Sequence, residues 1–298
     1  EFLKGEFYKN ELQKWGDEDQ AEQNAWNRLE QFSQRNLHGI DINPTLARAT
    51  KMNIVMHGGN QENIVSENSL DDPEEWDDEA RDTIETPWAD EDDEGYDFLL
   101  ANPPFGSDIQ IDTTRILRQF DIGHNWDNDS YTKRGGIRSS APPEQLFIER
   151  SVELLKPGGK LAMIIPDNLL TNPGLSYIRY WLMQHTKIVA SISLPRETFE
   201  PFVGTKSHLV VAERKSEDEV GLDDDYETFM CRVDHIGHNR RGEPLYLETQ
   251  DGDRITHEVN RKVMRIDNGE RSIDTETMRE PVINDELPAA VERFKRWW

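Results

Sequence analysis

The 298-residue chain has a single cysteine, Cys231, which excludes an internal disulfide and a zinc cluster built on several cysteines. It has no apolar run near the roughly 18 residues that a membrane-spanning helix needs. Its opening, EFLKGEFYKNELQKWGDEDQ, lacks the basic start and the apolar centre of a signal peptide. These absences predict a cytoplasmic protein with no membrane partner.

Basic residues are also scarce, because 34 Lys and Arg stand against 59 Asp and Glu, for a net charge of −25. Such acidity ordinarily disfavours nucleic acid as a partner. Acids spread along the whole chain are also typical of proteins adapted to high salt, and we favour this halophile interpretation. Because high salt screens repulsion from DNA over short distances, the net charge does not exclude a DNA partner.

Strand and helix patterns alternate along the chain, which predicts an α/β fold with a doubly wound, mostly parallel sheet. Residues 10–36 predict one exposed helix or two short ones, and residues 71–94 predict an acidic surface loop. Strand patterns cover residues 37–42, 96–101, 187–195 and 207–215, and residues 62–70 contain a short strand. No helix pattern separates the last two strands, so we expect them to pair antiparallel.

The same patterns suggest how the chain is divided. We expect a catalytic domain over residues 1–215, an acidic linker over 216–227 and a small C-terminal appendage over 228–298. Residues 143–166 predict a helix, a Pro-Gly-Gly turn and a strand, and residues 172–186 predict another helix.

The segment Asn102-Pro103-Pro104-Phe105 directly follows the strand pattern YDFLLA. Two prolines end a strand abruptly, because proline cannot donate to the ladder and restricts the residue before it. Ligands of open α/β sheets bind beside the carboxyl ends of the strands. We therefore expect an amide and an aromatic ring at a ligand-binding edge.

These residue types fit chemistry on an exocyclic base amine such as adenine N6, whose lone pair is delocalised into the ring. The Asn102 side chain and the Pro103 carbonyl would each accept one N–H bond, which localises that lone pair. Pro104 would help to fix the loop, and Phe105 would stack on a base flipped out of a duplex. A strand-ending turn with a core phenylalanine is the structural alternative.

Two further positions fit a nucleotide-like donor. Asp41, followed by Ile42, ends a strand before a helix, where a carboxylate can bind both hydroxyls of a ribose. The alternative for Asp41 is a charge that stabilises the helix N-terminus. Asn68 follows the next strand pattern and is a candidate to bind the donor's adenine, although a turn residue explains it equally well.

Four segments in this order resemble the adenine-N6 DNA methyltransferases, and most closely the modification (M) subunits of type I restriction-modification systems. They are residues 37–59, 96–105, 143–170 and 194–215. The resemblance implies a seven-stranded sheet with an antiparallel last strand, S-adenosylmethionine as methyl donor and no metal. It implies Asp41 on the donor's ribose and Asn102 to Phe105 as the catalytic loop. The partners it implies are double-stranded DNA, a specificity subunit and a restriction subunit.

Two features depart from that family. The glycine-rich loop that cradles the methionine part of the donor is absent, and relatives tend to have an acid in place of Asn68. We expect the chain to be truncated at its N-terminus, without its first strand. We therefore expect no measurable binding of S-adenosylmethionine by titration calorimetry.

Residues 103–142 contain five acids and five bases, and this locally neutral segment predicts a phosphate-facing surface. A loose loop with balanced charge is the alternative. The predicted DNA contacts are the five bases Arg115, Arg118, Lys133, Arg134 and Arg138. Arg240 and Arg241 in GHNRRG have a weaker claim to the same role.

Two other functions stay open at this point. Similar loops serve the methylation of RNA bases and of glutamine amides in proteins. A non-catalytic assembly scaffold with a degenerate methyltransferase fold is the other alternative.

Overall fold

The computed structural model describes residues 2–87, 94–105, 109–221, 225–267 and 270–298. The N-terminal part is a hairpin of two helices, α1 (Phe2–Trp15) and α2 (Glu18–Asn36). Asp17 begins α2 as its N-cap, because its side chain accepts the backbone N–H of Gln20 at 2.8 Å. The two-helix form of the prediction for residues 10–36 is therefore correct.

A pair of short parallel strands follows, β1 (Gly39–Ile40) and β2 (Ile64–Val65), with α3 (Pro44–Met56) between them. The side chain of Asn43 caps α3 by accepting the backbone N–H of Thr45 at 2.9 Å. β1 is shorter than the pattern at 37–42, because only two of its residues join the ladder, and β2 is the short strand expected within residues 62–70.

The prediction of a surface loop over residues 71–94 is wrong for the part that the structure describes. Residues Pro73–Glu75 form a 3-10 turn, and α4 spans Asp78–Thr83. Trp76, Ala80 and Ile84 are buried in one cluster with Val65. Their spacing of four residues is a helical period that the surrounding acids concealed. Residues 88–93 lie outside the described residues.

Further strands and helices follow along the chain. They are β3 (Tyr96–Ala101), α5 (Thr114–Gln119), β4 (His124–Asp127), β5 (Thr132–Ile137), α6 (Pro143–Glu153), β6 (Leu155–Pro166), α7 (Asp167–Thr171), α8 (Ser176–His185), β7 (Thr186–Ser193), β8 (Ser207–Arg214) and β9 (Phe229–Arg232). The β4–β5 pair is an antiparallel hairpin within the segment after the catalytic-loop candidate.

The central sheet has five strands in the order β3-β6-β8-β7-β9. β3 and β6 are parallel, as are β7 and β9, while β8 runs antiparallel to both of its neighbours. The fold is therefore α/β with a mostly parallel sheet, and the antiparallel pairing of the last two predicted strands is confirmed. The implied single sheet of seven strands is not formed, because β1 and β2 pair only with each other.

The two faces of the sheet are covered unequally. On one face, Leu161, Met163 and Ile165 of β6 are buried in the main core with residues of α6 and α8. The other face packs, near β7 and β9, against the C-terminal helix α9 (Leu287–Trp297). At the opposite edge of that face, Phe98 and Leu100 of β3 are 72% and 83% exposed.

The C-terminal part, residues 228–298, packs partly onto the central sheet and partly forms a separate ribbon. β10 (Thr256–Asp267) and β11 (Glu270–Pro281) form a separate antiparallel ribbon. β9 and α9 both pack onto the central sheet although they belong to the predicted appendage. The division into residues 1–215, 216–227 and 228–298 stays a prediction. Among the described residues, no helix is long and apolar enough to cross a membrane, and no cluster of metal-binding side chains is found.

Candidate active site

The catalytic-loop candidate begins where β3 ends. Ala101 pairs with Met163 of β6, and Asn102 is the first residue beyond the ladder. Asn102 is exposed, Pro103 is buried and Phe105 is half-buried, so the backbone is anchored while the amide reaches solvent. The Asn102 side chain has no hydrogen-bond partner within the described ranges and is free to bind a ligand. Residues 106–108 lie outside those ranges.

A second phenylalanine meets this loop from across the sheet. The rings of Phe105 and Phe199 have centroids 5.7 Å apart and cross at 76°, an edge-to-face contact. Phe199 ends the 3-10 turn Arg196–Phe199 between β7 and β8. In this turn the Thr198 hydroxyl donates to the carbonyl of Pro195 at 2.7 Å. The sequence analysis gave Phe199 no role, because only the fold brings it to Phe105.

An ionised carboxylate lies at the end of the strand next to β3. Asp167 directly follows β6 and accepts a hydrogen bond from His208 Nε2 at 2.9 Å. Its Oδ1 is also 3.6 Å from Lys206 Nζ. The His208 bond, and then the charges of Lys206 and His208, hold the pKa of Asp167 below its usual value despite partial burial. Negative charge is therefore fixed at the edge of the sheet that carries Asn102.

Asp41 has one carboxylate oxygen in use and one available. Its Oδ1 accepts the backbone N–H of Asn43 at 2.7 Å, and its own N–H donates to the carbonyl of Val65 at 3.3 Å. These bonds hold Asp41 beside the carboxyl end of β2. No group in the described part of the chain bonds Oδ2. Ile42 is 68% exposed. The roles of Asp41 and Ile42 in binding a ribose and an adenine stay predictions.

Asn68 is occupied within its own turn. Its Nδ2 donates to Asp71 Oδ2 at 2.8 Å, and its Oδ1 accepts the backbone N–H of Leu70 at 3.2 Å. Its carbonyl accepts from Trp76 Nε1 at 3.1 Å. This geometry is the turn-residue alternative, and a contact from Asn68 to a donor stays a prediction.

The sequence profile of the N-6 DNA methylase family matches residues 19–286, which is most of the chain. The chain belongs to the N-6 DNA methylase family. It is also 25% identical over 126 residues to the methylase subunit of the type I restriction enzyme EcoEI from Escherichia coli. That match covers 40% of this chain and 21% of the relative, so it spans about a fifth of the relative's length.

Two solved structures are similar to this chain at low sequence identity. One is a modification subunit of a putative type I restriction enzyme from Vibrio vulnificus YJ016, with 18% identity and a TM-score of 0.42 over 72% of this chain and 37% of that one. The other is the M protein of the type I restriction enzyme EcoKI, with 20% identity and a TM-score of 0.43 over 69% and 37%.

Most of the basic residues predicted to contact DNA have acidic partners in this member of the N-6 DNA methylase family. Arg115 pairs with Asp71 at 2.9 Å and also with Glu75. Lys133 pairs with Asp121, and Arg134 pairs with Asp127. The Arg134 bond, together with two backbone N–H bonds, lowers the pKa of Asp127 to about 2.

Arg138 and Arg118 differ from these three residues, because Arg138 bonds uncharged side chains and Arg118 has no partner among the described side chains. Arg138 Nη1 donates to Gln145 Oε1 and to the Tyr177 hydroxyl, each at 2.8 Å, which fastens the end of β5 to α6 and α8. Arg118 is exposed on α5, and no described side chain pairs with it. Of the five predicted DNA contacts, Arg118 is the one whose charge is available without breaking an internal bond.

Proposed function

We propose that this chain methylates N6 of adenine in double-stranded DNA, as part of the modification subunit of a type I restriction-modification system. The observation that carries the proposal is the exposed amide of Asn102 at the carboxyl end of β3, followed by the buried Pro103 and the half-buried Phe105. The family match to DNA methylases favours DNA over RNA or protein glutamine, and it favours an enzyme over a scaffold.

Asn102 and Pro103 would act on the target amine. The Asn102 Oδ1 and the Pro103 carbonyl each accept an N–H of that amine, which draws its lone pair out of the aromatic ring. The same oxygens would stabilise the positive charge that grows on nitrogen as its bond to the methyl carbon forms and the sulfur–methyl bond of the donor breaks, with the sulfur leaving as a neutral thioether. The methylated nitrogen would then lose one proton to water. Pro104 keeps the backbone from turning the two acceptors apart.

S-adenosylmethionine supplies an electrophilic methyl group when it is bound. Oδ2 of Asp41 would accept from its ribose hydroxyls, and Ile42 would contact its adenine. Asn68 would contribute only if it released Asp71 or Leu70.

The aromatic pair would receive the flipped base. Phe105 and Phe199 come from loops after different strands, so a base bound at Asn102 meets one ring by its face and the other from the side. Arg118 would contact a phosphate beside the site. Arg115, Lys133, Arg134 and Arg138 would do so only by exchanging their internal partners.

The same proposal extends to setting and partners. EcoEI is by name a type I restriction enzyme, and by analogy we expect a specificity subunit and a restriction subunit to assemble with this chain. Methylation of genomic DNA agrees with a cytoplasmic location. The net charge of −25 agrees with a cell interior of high salt, in which a DNA partner is not repelled.

The experiment is a methyl-transfer assay on the complete gene product with its specificity partner, using labelled S-adenosylmethionine and adenine-containing DNA. Asn102→Ala should lower turnover by roughly 10²–10³, the scale of one preorganised hydrogen bond in a transition state. Asn36→Ala, at an exposed asparagine on α2, is the matched control. Equal turnover in both variants, or label found only on RNA or protein, would contradict the proposal.

A further inference from the structure

Arg240 connects the C-terminal part of the chain to the loop that carries Phe199. Its Nε lies 3.2 Å from Glu197 Oε1 and 3.6 Å from Glu200 Oε2. Both acids belong to the segment between β7 and β8, and one of them lies within the 3-10 turn that ends at Phe199. Arg240 therefore has carboxylate partners where its sequence context suggested a DNA phosphate.

The turn that presents Arg240 is held by several bonds. Asn239 Oδ1 accepts the backbone N–H of Arg241 at 2.8 Å and that of Glu243 at 3.1 Å. Asn239 Nδ2 donates to Glu243 Oε2 at 2.8 Å. Gly242 has φ of +76°, a conformation that glycine adopts without strain. Such a turn fixes the backbone from which Arg240 extends toward the two acids.

On the loop side of the contact, the carboxylate of Glu200 requires a cation. Glu200 Oε2 is a buried oxygen with no hydrogen-bond partner among the described groups, and the guanidinium of Arg240 is the charge that faces it. A buried carboxylate without compensation is unfavourable. The backbone N–H groups of Phe202 and Val203 both donate to the carbonyl of Phe199, at 3.1 and 2.9 Å. The loop therefore has hydrogen bonds within its own backbone, and its two acids connect it to Arg240.

We infer that Arg240 is a positioning residue, which holds the Phe199 loop through Glu197 and Glu200 so that the Phe199 ring stays against Phe105. Its neighbour Arg241 has the same charge in the same turn, but none of the described residues pairs with its side chain. The two arginines of GHNRRG are thus assigned different tasks. The consequence for catalysis rests on the proposed function, whereas the positioning of the loop does not.

Amide hydrogen exchange on this chain, without DNA or donor, tests the positioning. Arg240→Ala should speed exchange at Phe202 and Val203 by about two- to fivefold, the range of an exposed ion pair. Arg241→Ala should leave both amides as in the wild type. The charge reversal Arg240→Glu combined with Glu197→Arg should restore protection that Arg240→Glu alone removes. Equal exchange in Arg240→Ala, Arg241→Ala and wild type would overturn the inference.

Methyl transfer by the complete gene product is the second readout. Arg240→Ala should lower kcat about two- to fivefold with an unchanged KM for DNA and an unchanged melting temperature, and the charge reversal should restore it. An increase of KM alone would show that Arg240 binds DNA and would overturn the positioning role. If Asn102→Ala leaves turnover unchanged while the exchange result holds, the proposed function fails and the positioning of the loop stands.

Discussion

The ring of Phe199 lies edge-to-face on the ring of Phe105, with 5.7 Å between their centroids. The two residues are far apart in sequence and follow strands that are separated in the sheet by β6 and β8. Their contact therefore brings together the segment after β3, which begins at Asn102, and the 3-10 turn after β7.

Truncation of Phe199 tests whether this second ring takes part in the reaction. We expect Phe199→Ala to lower kcat/KM for DNA about 5- to 150-fold, because stacking of a base on an aromatic ring contributes roughly 1–3 kcal/mol. Phe202, 92% exposed in the same loop, provides the control in Phe202→Ala. Steady-state methylation with both variants gives the comparison, and an equal loss in both would argue against a specific role for Phe199.

Asp41→Asn tests the donor site with little risk to the fold. The asparagine oxygen can still accept the N–H of Asn43, while the second carboxylate oxygen is replaced by an amide nitrogen. We expect the affinity of the complete gene product for S-adenosylmethionine to fall roughly 10- to 150-fold, the scale of a hydrogen bond to a charged group. Titration calorimetry measures this affinity. Asn68→Ala should instead lower the free energy of unfolding with little change in the affinity for S-adenosylmethionine. If Asn68→Ala lowered this affinity and Asp41→Asn lowered only the stability, Asn68 would be the donor-binding residue and Asp41 the structural one.

Arg115 and Arg118 on α5 form a matched pair for DNA binding. We expect Arg118→Ala to weaken DNA binding and to reduce the slope of log K against log salt by about 0.9, the value for one phosphate contact. Arg115→Ala should leave the slope unchanged, because its charge is already neutralised by Asp71 and Glu75. Binding isotherms at several salt concentrations decide between them. A loss of slope only in Arg115→Ala would refute this assignment.

The buried carboxyl of Glu149 should make stability depend on pH. Its two oxygens accept the backbone N–H groups of Asp121 and Ile122 at 2.7 and 2.8 Å. Burial nevertheless raises the pKa of Glu149 to about 8. The folded state therefore keeps a proton that the unfolded chain releases, and stability falls as pH rises through the window from the ordinary value of 4.5 to about 8.

Urea denaturation across this window provides the measurement. Glu149 should cost the wild-type protein up to about 1.4 kcal/mol per pH unit, and Glu149→Gln should remove this contribution because glutamine does not ionise. A smaller slope should remain, because burial also raises the pKa of Glu153 to about 7. The variant should also be less stable at the acid end, since one of the two backbone N–H groups loses its acceptor. An unchanged slope in the variant would show that Glu149 does not bind the proton.

The sequence predicted those features that depend on local order. The proline pair after YDFLLA placed Asn102 at a strand end, and the missing helix between residues 195 and 207 predicted the antiparallel strands β7 and β8. Helix α4 was missed because acids mask the spacing of Trp76, Ala80 and Ile84. Contacts such as Phe105 with Phe199 have no local pattern, because tertiary packing alone decides them.

Charge partners were equally inaccessible from the sequence. The neutrality of residues 103–142 was noted correctly, but neutrality arises both on a phosphate-binding surface and where each base already has an acid beside it. The structure shows the second arrangement for Arg115, Lys133 and Arg134. Composition counts charges, whereas function depends on which of them lack a neighbour.

Among the described strands, β3 pairs only with β6 and leaves its outer edge open, and Phe98 and Leu100 of the same strand are exposed to water, which has a consequence for colloidal behaviour. Such an edge is a template on which the strand of another molecule can add. In dilute buffer, the charge of −25 on every copy keeps the edges apart. Added salt shortens the reach of that repulsion, so light scattering by the purified protein should rise with ionic strength, and replacing Leu100 with lysine should suppress the rise.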